Sequence, residues 1–598
     1  MNERSTLGTA MRSHACGELR EGDAGREVML CGWVAHRRDH GGVTFIDLRD
    51  REGVIQVVFH PQEATEAHTI AQDLRGEWVV RVTGTVRARP AGMVNAGLAT
   101  GEIEVAAATL EVLARADTPP FVIEDRVEAD ELLRLEYRYL DLRRPEMTAS
   151  LRLRHQVTRL MHEHLDALGF VEVETPMLGR ATPEGSRDFL VPVRVRPGTF
   201  FALPQSPQQL KQLLMVGGQD RYYQIVRCLR DEATRADRGF EFTQLDIEMA
   251  FVDEDDIIAV IEPLYARIIA ETQGVEVPVP FRRMPYDEML QRFGSDKPDL
   301  RYGMELVDLA DLFAGSGFNA FASVAADGGA VKALCAPGGG SLSRKELDKL
   351  VDDAKGRGAA GLVWLVVEPD GSLRSPVDKF LSDEERTGIV TRTAAAAGDL
   401  ICVVADRRDR VDVALDGCRR DLAVRLDLIP EGRWEFCWYS EPPLFEWSEE
   451  EARWVANHHP FTAPLTDDLE PTTAKARAYD LILNGFEIGG GSIRIHEPAI
   501  QQAVFDVLGI APAEQQEKFG HLLKAFRFGA PPHGGVAMGL DRLVMLLAGK
   551  DSLRDVTAFP KAQSGADPMT GAPAAADPGA LAELGIAVTA AQPEEDET

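Results

Sequence analysis

Residues 221–249, RYYQIVRCLRDEATRADRGFEFTQLDIEM, read as two strands joined by a polar loop. In the first strand Gln224, Val226, Cys228 and Arg230 share a face, and in the second Phe242, Gln244, Asp246 and Glu248 do. Three successive polar residues at a period of two place acids, amides and an arginine on one side of a sheet whose other side packs helices. Such a face either meets solvent, the commoner arrangement for an antiparallel sheet, or floors a polar site.

The flanking segments carry related signals. Upstream, FFALPQSPQQLKQLLMVGG (200–218) reads as a helix with Ser206 as cap, Pro207 at its first position and Gln209 completing an S-x-x-Q box. Lys211 then falls at the positive end of that helix, where it costs stability unless an anion is near. Downstream, GVAMGLDRLVMLLAG (535–549) is a strand that stops at Gly539 and continues as a helix with Leu540, Leu543, Val544 and Leu547 on its apolar stripe. Arg542 lies off the stripe, among the free N–H groups of a helix start that bind anions readily. In AYDLILNGFEIGGGSIR (478–494) the carboxylates Asp480 and Glu487 precede Arg494. The seven-residue step from Glu487 to Arg494 puts them on opposite faces of a regular strand, unless the three glycines allow a bulge. Together these segments offer Arg230 and Arg542 as phosphate forks, Asp480 and Glu487 as oxygen ligands for Mg2+, and Lys211 and Arg494 as partners for a carboxylate. No GxxxxGK[ST] is present, so a P-loop does not hold the phosphates.

Residues 27–113 hold five short strands separated by charged or Gly-rich turns, the pattern of a small barrel. In TFIDLRD, Ile46 and Leu48 face one way and Phe45, Asp47 and Arg49 the other; Phe45 beside Arg38 suits stacking of an unpaired base. An exposed phenylalanine in a solvated charge cluster is the plain alternative. Residues 302–430, rich in Ala and Gly, read as a separate α/β module that interrupts one catalytic domain.

The chain of 598 residues exceeds a single core, and about 150 residues per domain gives three or four. Its 44% apolar and 27% charged content fits a globular protein, with no apolar run of membrane-span length and no signal-peptide core in MNERSTLGTAMRSH, so a cytoplasmic, non-membrane protein is expected. Seven scattered cysteines without a CxxC pair indicate buried thiols rather than disulfides or a zinc site. A net charge of −31 argues against a nonspecific nucleic-acid coat, so any nucleic-acid contact is expected to be local.

These motifs resemble the class II aminoacyl-tRNA synthetases: GFVEVETPML resembles motif 1, LRDEATRADRGFEFTQLD motif 2 and GVAMGLDRLVMLLAG motif 3. Through YRYLDLRRPEM, TPEGSRDFLVP, LPQSPQQLKQLLM, HHPFTAP and FEIGGGSIRIH the chain is similar to the bacterial aspartyl branch over nearly its whole length. The resemblance implies an α+β fold with these parts: an anticodon-binding OB fold (1–115), a hinge (116–145), a catalytic antiparallel sheet in two pieces (146–300 and 431–565) around an inserted module (301–430), and an extension (566–598) whose end is expected to be disordered. It implies ATP and Mg2+, a homodimer with Pro176 near its interface, and ATP contacts from Arg230, Asp231, Glu232, Glu487, Gly539, Leu540, Asp541 and Arg542. Arg230, Glu487 and Arg542 are the implied catalytic residues, and Asp480 and Glu487 the metal ligands. L-aspartate is implied to meet Glu184, Gln208, Lys211, Arg230, Asp246, His458 and Arg494, with 182–190 as a mobile loop over it. Arg38, His40, Phe45, Gln56 and Gly92 are the implied anticodon residues. His40 and Gly92 resemble the non-discriminating type, which charges tRNA-Asp and tRNA-Asn and hands the second product to an amidotransferase. Gly239-Phe240 departs from the Gln-Pro of many relatives. The rival readings are a strictly discriminating aspartyl enzyme, lysyl or asparaginyl synthetases, disfavoured by Lys211 with Arg494 and by the insertion, and a tRNA-independent aspartyl-adenylate ligase, disfavoured by the barrel.

Overall fold

The computed structural model describes residues 6–181 and 186–589. The chain divides into two compact units, one reaching to His155 and including Lys550–Ala575, the other formed by Gln156–Gly549 and the residues from Ala576 onward. The expected disorder at the end of the chain concerns 590–598, outside the described residues.

In the first unit, β1 (Glu27–His40), β2 (Val43–Asp50), β3 (Gly53–Phe59), β4 (Val79–Ala88) and β5 (Ile103–Ala114) close a barrel in the order β1-β2-β3-β5-β4. The alternation in β2 is realised, with Ile46 and Leu48 fully buried in the barrel and Phe45 and Asp47 half-exposed outside. Gly41 and Gly42 both take positive φ (58° and 80°), which the two-residue turn from His40 to Val43 requires.

The second unit is built on an eight-stranded sheet whose strands we number in chain order: β6 (Val171–Glu172), β7 (Arg221–Leu229), β8 (Glu241–Ala250), β9 (Arg282–Pro285), β10 (Phe436–Ser440), β11 (Ala478–Leu483), β12 (Phe486–Ile493) and β13 (His533–Gly539). Their order is β9-β10-β11-β12-β13-β8-β7-β6, antiparallel except at the two edges. Helix α1 (Pro145–Ala167) leads into the sheet, α2 (Gln208–Val216) precedes β7, α3 (Glu254–Gln273) follows β8, and α4 (Leu540–Leu547) continues directly from β13. Leu245 and Ile247 of β8 and Ile257, Ile261, Leu264 and Ile268 of α3 are fully buried on the apolar side. The opposite, polar face of β8 is buried as well: Gln244, Asp246 and Glu248 are 6%, 1% and 0% exposed, which eliminates the solvent-facing reading.

Two local expectations are corrected. VEVETPML reads as a strand stopped by Pro176, but the strand spans only Val171–Glu172; beyond it the Val173 N–H still reaches the Tyr223 carbonyl at 3.2 Å, and the Gln224 side-chain oxygen, not a strand carbonyl, accepts the Thr175 N–H and hydroxyl at 3.3 and 3.0 Å. The S-x-x-Q box does not form. Pro207, at φ −82° and ψ 17°, sits outside α2; Ser206 Oγ accepts the Gln208 N–H at 3.2 Å instead, and Gln209 turns both amide atoms into the interior without partners.

Between β9 and β10 lies a five-stranded antiparallel sheet drawn from Val307–Asp308, Ala330–Ala336, Val363–Val367, Leu373–Arg374 and Leu400–Asp406. Helices Arg344–Gly356 and Arg408–Arg425 cover one face, and Asn319–Ala326 and Asp383–Thr393 the other. All seven cysteines are free, five of them buried. Among the described residues no helix is long and apolar enough to cross a membrane.

Candidate active site

The polar face of β8 gathers two cations and two carboxylates. Lys211, 1% exposed on the first turns of α2, donates from Nζ to Asp246 Oδ1 at 2.9 Å and lies 3.3 Å from Glu248 Oε2. These anions resolve the unfavourable placement of a lysine near a helix N-terminus. Arg494, 3% exposed just beyond β12, donates from Nε to Glu248 Oε1 at 3.0 Å and from Nη1 to Ser492 Oγ at 2.7 Å, and its Nη1 lies 2.6 Å from His459 Nε2. Burial pushes the Glu248 carboxyl up, but Arg494 and Lys211 outweigh it and hold the group below the ordinary carboxylate range. Burial, then the charges of Arg494 and His458, push His459 far down, so its ring is neutral, and its Nδ1 accepts the Phe461 N–H at 3.1 Å. Gln208 Nε2 donates to Gln212 Oε1 at 3.1 Å, and Gln212 contacts His533 at 3.0 Å, which closes this end of the site.

Glycines make room for the acids. Glu248 pairs across the strands with Gly535, and Asp480 with Gly490; a Cβ would stand 2.0 Å from Glu248 Oε2 in the first case and 1.8 Å from Asp480 Oδ1 in the second. Within the triple glycine, the missing side chain of Gly490 admits the Asp480 carboxylate from the neighbouring strand. The bulge lies immediately before the glycines, where Leu481 pairs with Gly489 but Ile482 with Glu487, leaving Ile488 as the extra residue. That insertion turns the odd interval into an even one and brings Glu487 to the face of Asp480 and Arg494.

Asp480 and Glu487 form the acidic end. Tyr439 donates its hydroxyl to Asp480 Oδ2, and His458 Nε2 lies 3.7 Å from Oδ1. Burial and then the Asp480 charge push the Glu487 carboxyl up, opposed by Arg542. For His458 burial acts downward, yet Asp480 and Glu487 outweigh it and its pKa is raised; its Nδ1 is buried without a partner. Arg542 donates from Nη1 to the Glu487 carbonyl and lies 3.3 Å from Asp237 Oδ2 in the loop between β7 and β8. Its Nε, like that of Arg230, is buried with no partner, so two guanidiniums keep unused donors. Arg230 stands 5.0 Å over the Phe242 ring, and Glu232 pairs with Arg238 at 2.8 Å. Gly539 is the N-cap of α4, Leu540 is buried behind it, and Asp541 accepts the Thr243 N–H at 2.6 Å, anchoring α4 to β8. Asp231 donates its N–H to the Arg187 carbonyl at 3.1 Å. Glu184, with 182–185 of the expected loop, lies outside the described residues.

On the barrel, Arg38 pairs across β1 and β2 with Phe45 and donates to Asp47 (3.0 Å) and Gln56 (3.2 Å), so three of the anticodon candidates adjoin. His40 is exposed at the β1–β2 turn, and Gly92 has φ 81° in the loop after β4.

Glu248 and His459 were not among the expected site residues. Glu248 had the signal, sharing a face with Asp246 at a period of two, and His459 stood in HHPFTAP beside His458. What neither segment alone shows is that Arg494 meets both.

Residues 130–563 match the family of class II tRNA synthetases (D, K and N), and residues 28–113 match the OB-fold nucleic-acid-binding anticodon domain. The chain is 54% identical to the Aspartate--tRNA(Asp/Asn) ligase of Moorella thermoacetica, over 97% of each chain. With the Heliobacterium modesticaldum protein of the same name the identity is 52%, over 96% of each. In fold it is similar to asparaginyl-tRNA synthetase from Pyrococcus horikoshii (TM-score 0.57, 20% identity, 91% of this chain and 97% of that one). It is also similar to a putative aspartyl-tRNA synthetase from Leishmania major (TM-score 0.58, 19% identity, 93% and 95%).

Proposed function

The chain belongs to the class II tRNA synthetases of the D, K and N group, and from that premise we propose that it activates L-aspartate with ATP and transfers it to tRNA-Asp and tRNA-Asn. The observation that carries the amino-acid choice is the buried Lys211–Glu248–Arg494 array. Lys211, Glu248 and Arg494 together carry one net positive charge; with Asp246 given to the substrate amino group, a substrate carboxylate neutralises that charge in a dry site, whereas the amide of asparagine leaves it and the ammonium of lysine adds to it.

In this reading Lys211 and Arg494 hold the β-carboxylate, Asp246, Gln208 and Glu184 take the amino end, and the orphaned Nδ1 of His458 adds a polar contact. Arg230 meets the α-phosphate and Arg542 the γ-phosphate with their unused Nε donors, while Asp231, Glu232 and the Gly539–Asp541 junction line the nucleotide. The aspartate α-carboxylate then attacks the α-phosphorus and pyrophosphate leaves. In the second step the 3′-hydroxyl of the terminal tRNA adenosine takes the aspartyl group and AMP leaves. Positioning and charge neutralisation drive both steps, and no enzyme nucleophile is needed.

Asp480 and Glu487 fit Mg2+ as a pair of neighbouring oxygen donors, the Glu487 carboxyl being raised by burial and then by the Asp480 charge that a cation would offset. No third His, Cys, Asp or Glu among the described residues completes a metal cluster with them, as suits an ion that takes its remaining ligands from phosphates and water. Bound there, Mg2+ supplies charge compensation to the triphosphate. A homodimer is supported by exposed Val171, Met177, Leu178, Phe200 and Phe201 around motif 1. His40 and Gly92 support charging of tRNA-Asn, whose product requires a downstream amidotransferase.

Aminoacylation of purified tRNA-Asp and tRNA-Asn with labelled aspartate at one salt concentration tests this. Comparable charging supports the dual reading. Charging of tRNA-Asp alone leaves a strictly discriminating enzyme, and aspartate-dependent ATP–pyrophosphate exchange with neither tRNA charged leaves an adenylate-forming ligase.

A further inference from the structure

The ring at position 240, where the resemblance calls for proline, has a partner. Phe240 meets Phe189 edge to face, with centroids 5.7 Å apart and planes at 78°. Both rings are half-buried. The Phe240 carbonyl accepts the Arg230 N–H at 2.9 Å, and the adjoining Asp231 N–H reaches the Arg187 carbonyl at 3.1 Å. The other flank of the same segment is held by Gln205, which is fully buried and donates from Nε2 to the Ser186 carbonyl (2.9 Å) and to Asp188 Oδ1 (2.8 Å). Gln205 stands three residues before Gln208, at the start of the helix that carries Lys211. Residues 186–189 therefore form a bridge between the amino-acid end of the site and the strand end that presents Arg230. A proline at 240 leaves the backbone half of this bridge in place but has no ring edge to offer Phe189.

We propose that Phe240 is a positioning residue which, through Phe189, couples aspartate binding to ATP binding. The inference rests on the proposed assignment of Gln208 and Lys211 to aspartate and of Arg230 to ATP. The route is a continuous chain of packed and hydrogen-bonded groups, and coupling through it acts equally in both directions. Phe240 acts through Phe189 and through the strand end that carries Arg230, so its loss weakens the communication between the two ligands rather than the affinity of each alone.

The test is aspartate affinity measured without and with an ATP analogue carrying a methylene between its α and β phosphorus atoms, which cannot release pyrophosphate. In the unaltered protein the analogue tightens aspartate binding. Phe240→Ala removes about two- to tenfold of that tightening, the worth of one aromatic pair. Phe189→Ala removes the same amount, the double variant no more, and Phe240→Tyr, which retains the ring, keeps it. Where Phe240→Ala fails to fold, Phe240→Leu carries the same expectation. Full coupling in Phe240→Ala or Phe240→Leu, or losses from the two sites that simply add, overturn the proposal. Unaltered protein that binds both ligands without interplay overturns it alone; protein that binds neither defeats the proposed function first.

Discussion

Glu248 lies across the β8–β13 pair from Gly535, and a Cβ on that glycine would stand 2.0 Å from its Oε2 and 2.2 Å from the Ile247 carbonyl oxygen. The glycine is thus the space into which the carboxylate between Lys211 and Arg494 fits. Gly535→Ala displaces Glu248 or parts the strands, an overpacking cost of about 1–3 kcal/mol. The expected result is an aspartate KM raised about tenfold or more, with the ATP KM little changed, read by ATP–pyrophosphate exchange. Equal loss for both substrates assigns the damage to the sheet as a whole.

Removing the Glu248 charge tests the array from the other side. Glu248→Gln keeps the shape but leaves Arg494 buried without a carboxylate, a change of about 3 kcal/mol or more in stability. Because the folded carboxyl is held below its ordinary range, its contribution is complete above the unfolded value of about 4.3 and is lost as pH falls through the lower folded value. The melting difference between the two proteins is therefore widest at neutral pH and narrows in acid. A difference that stays constant from neutral into acid attributes the loss to packing.

Arg542 is built for an anion: a buried Nε without a partner, one amino group on the Glu487 carbonyl, the other facing Asp237. Arg542→Ala is expected to slow aspartate-dependent exchange by about 10²–10³, the scale of losing one preorganised donor to a transition-state oxyanion. Melting temperature and tRNA binding are expected to stay put. Exchange at the original rate removes Arg542 from the phosphate site.

Alternation along β8 and along TFIDLRD carried the inside and outside of both sheets, and the Gly539 boundary carried the start of α4, because these depend on neighbours within one segment. The burial of the polar β8 face was not legible, since solvent and a closed site impose the same period of two. Nor was the capping of α2: Pro207 moves the first turn by one residue, an outcome of backbone angles rather than of residue type. The triple glycine needed the partner strand before its use was clear, because the bulge sits at Ile488 and the glycines serve the carboxylate opposite them. Ion pairs between distant segments, such as Lys211 with Glu248 or Arg494 with Glu248, have no local signature at all.

The barrel surface makes the last prediction. Phe45 is half-exposed beside Arg38, whose guanidinium is already steered by Asp47 and Gln56. A ring presented beside a fixed cation suits a base stacked on one and a phosphate held by the other, so Phe45→Ala is expected to weaken tRNA binding by about 1–3 kcal/mol. Arg38→Ala is expected to flatten the dependence of that affinity on salt, because a phosphate contact releases counterions whereas stacking does not. His40 sits exposed at the hairpin end of the same face, where a substitution changes which base is accepted rather than how tightly the backbone is held. His40→Leu is accordingly expected to lower charging of tRNA-Asn relative to tRNA-Asp without altering aspartate-dependent exchange. Equal loss for both tRNAs makes His40 a general contact and moves discrimination elsewhere on the barrel.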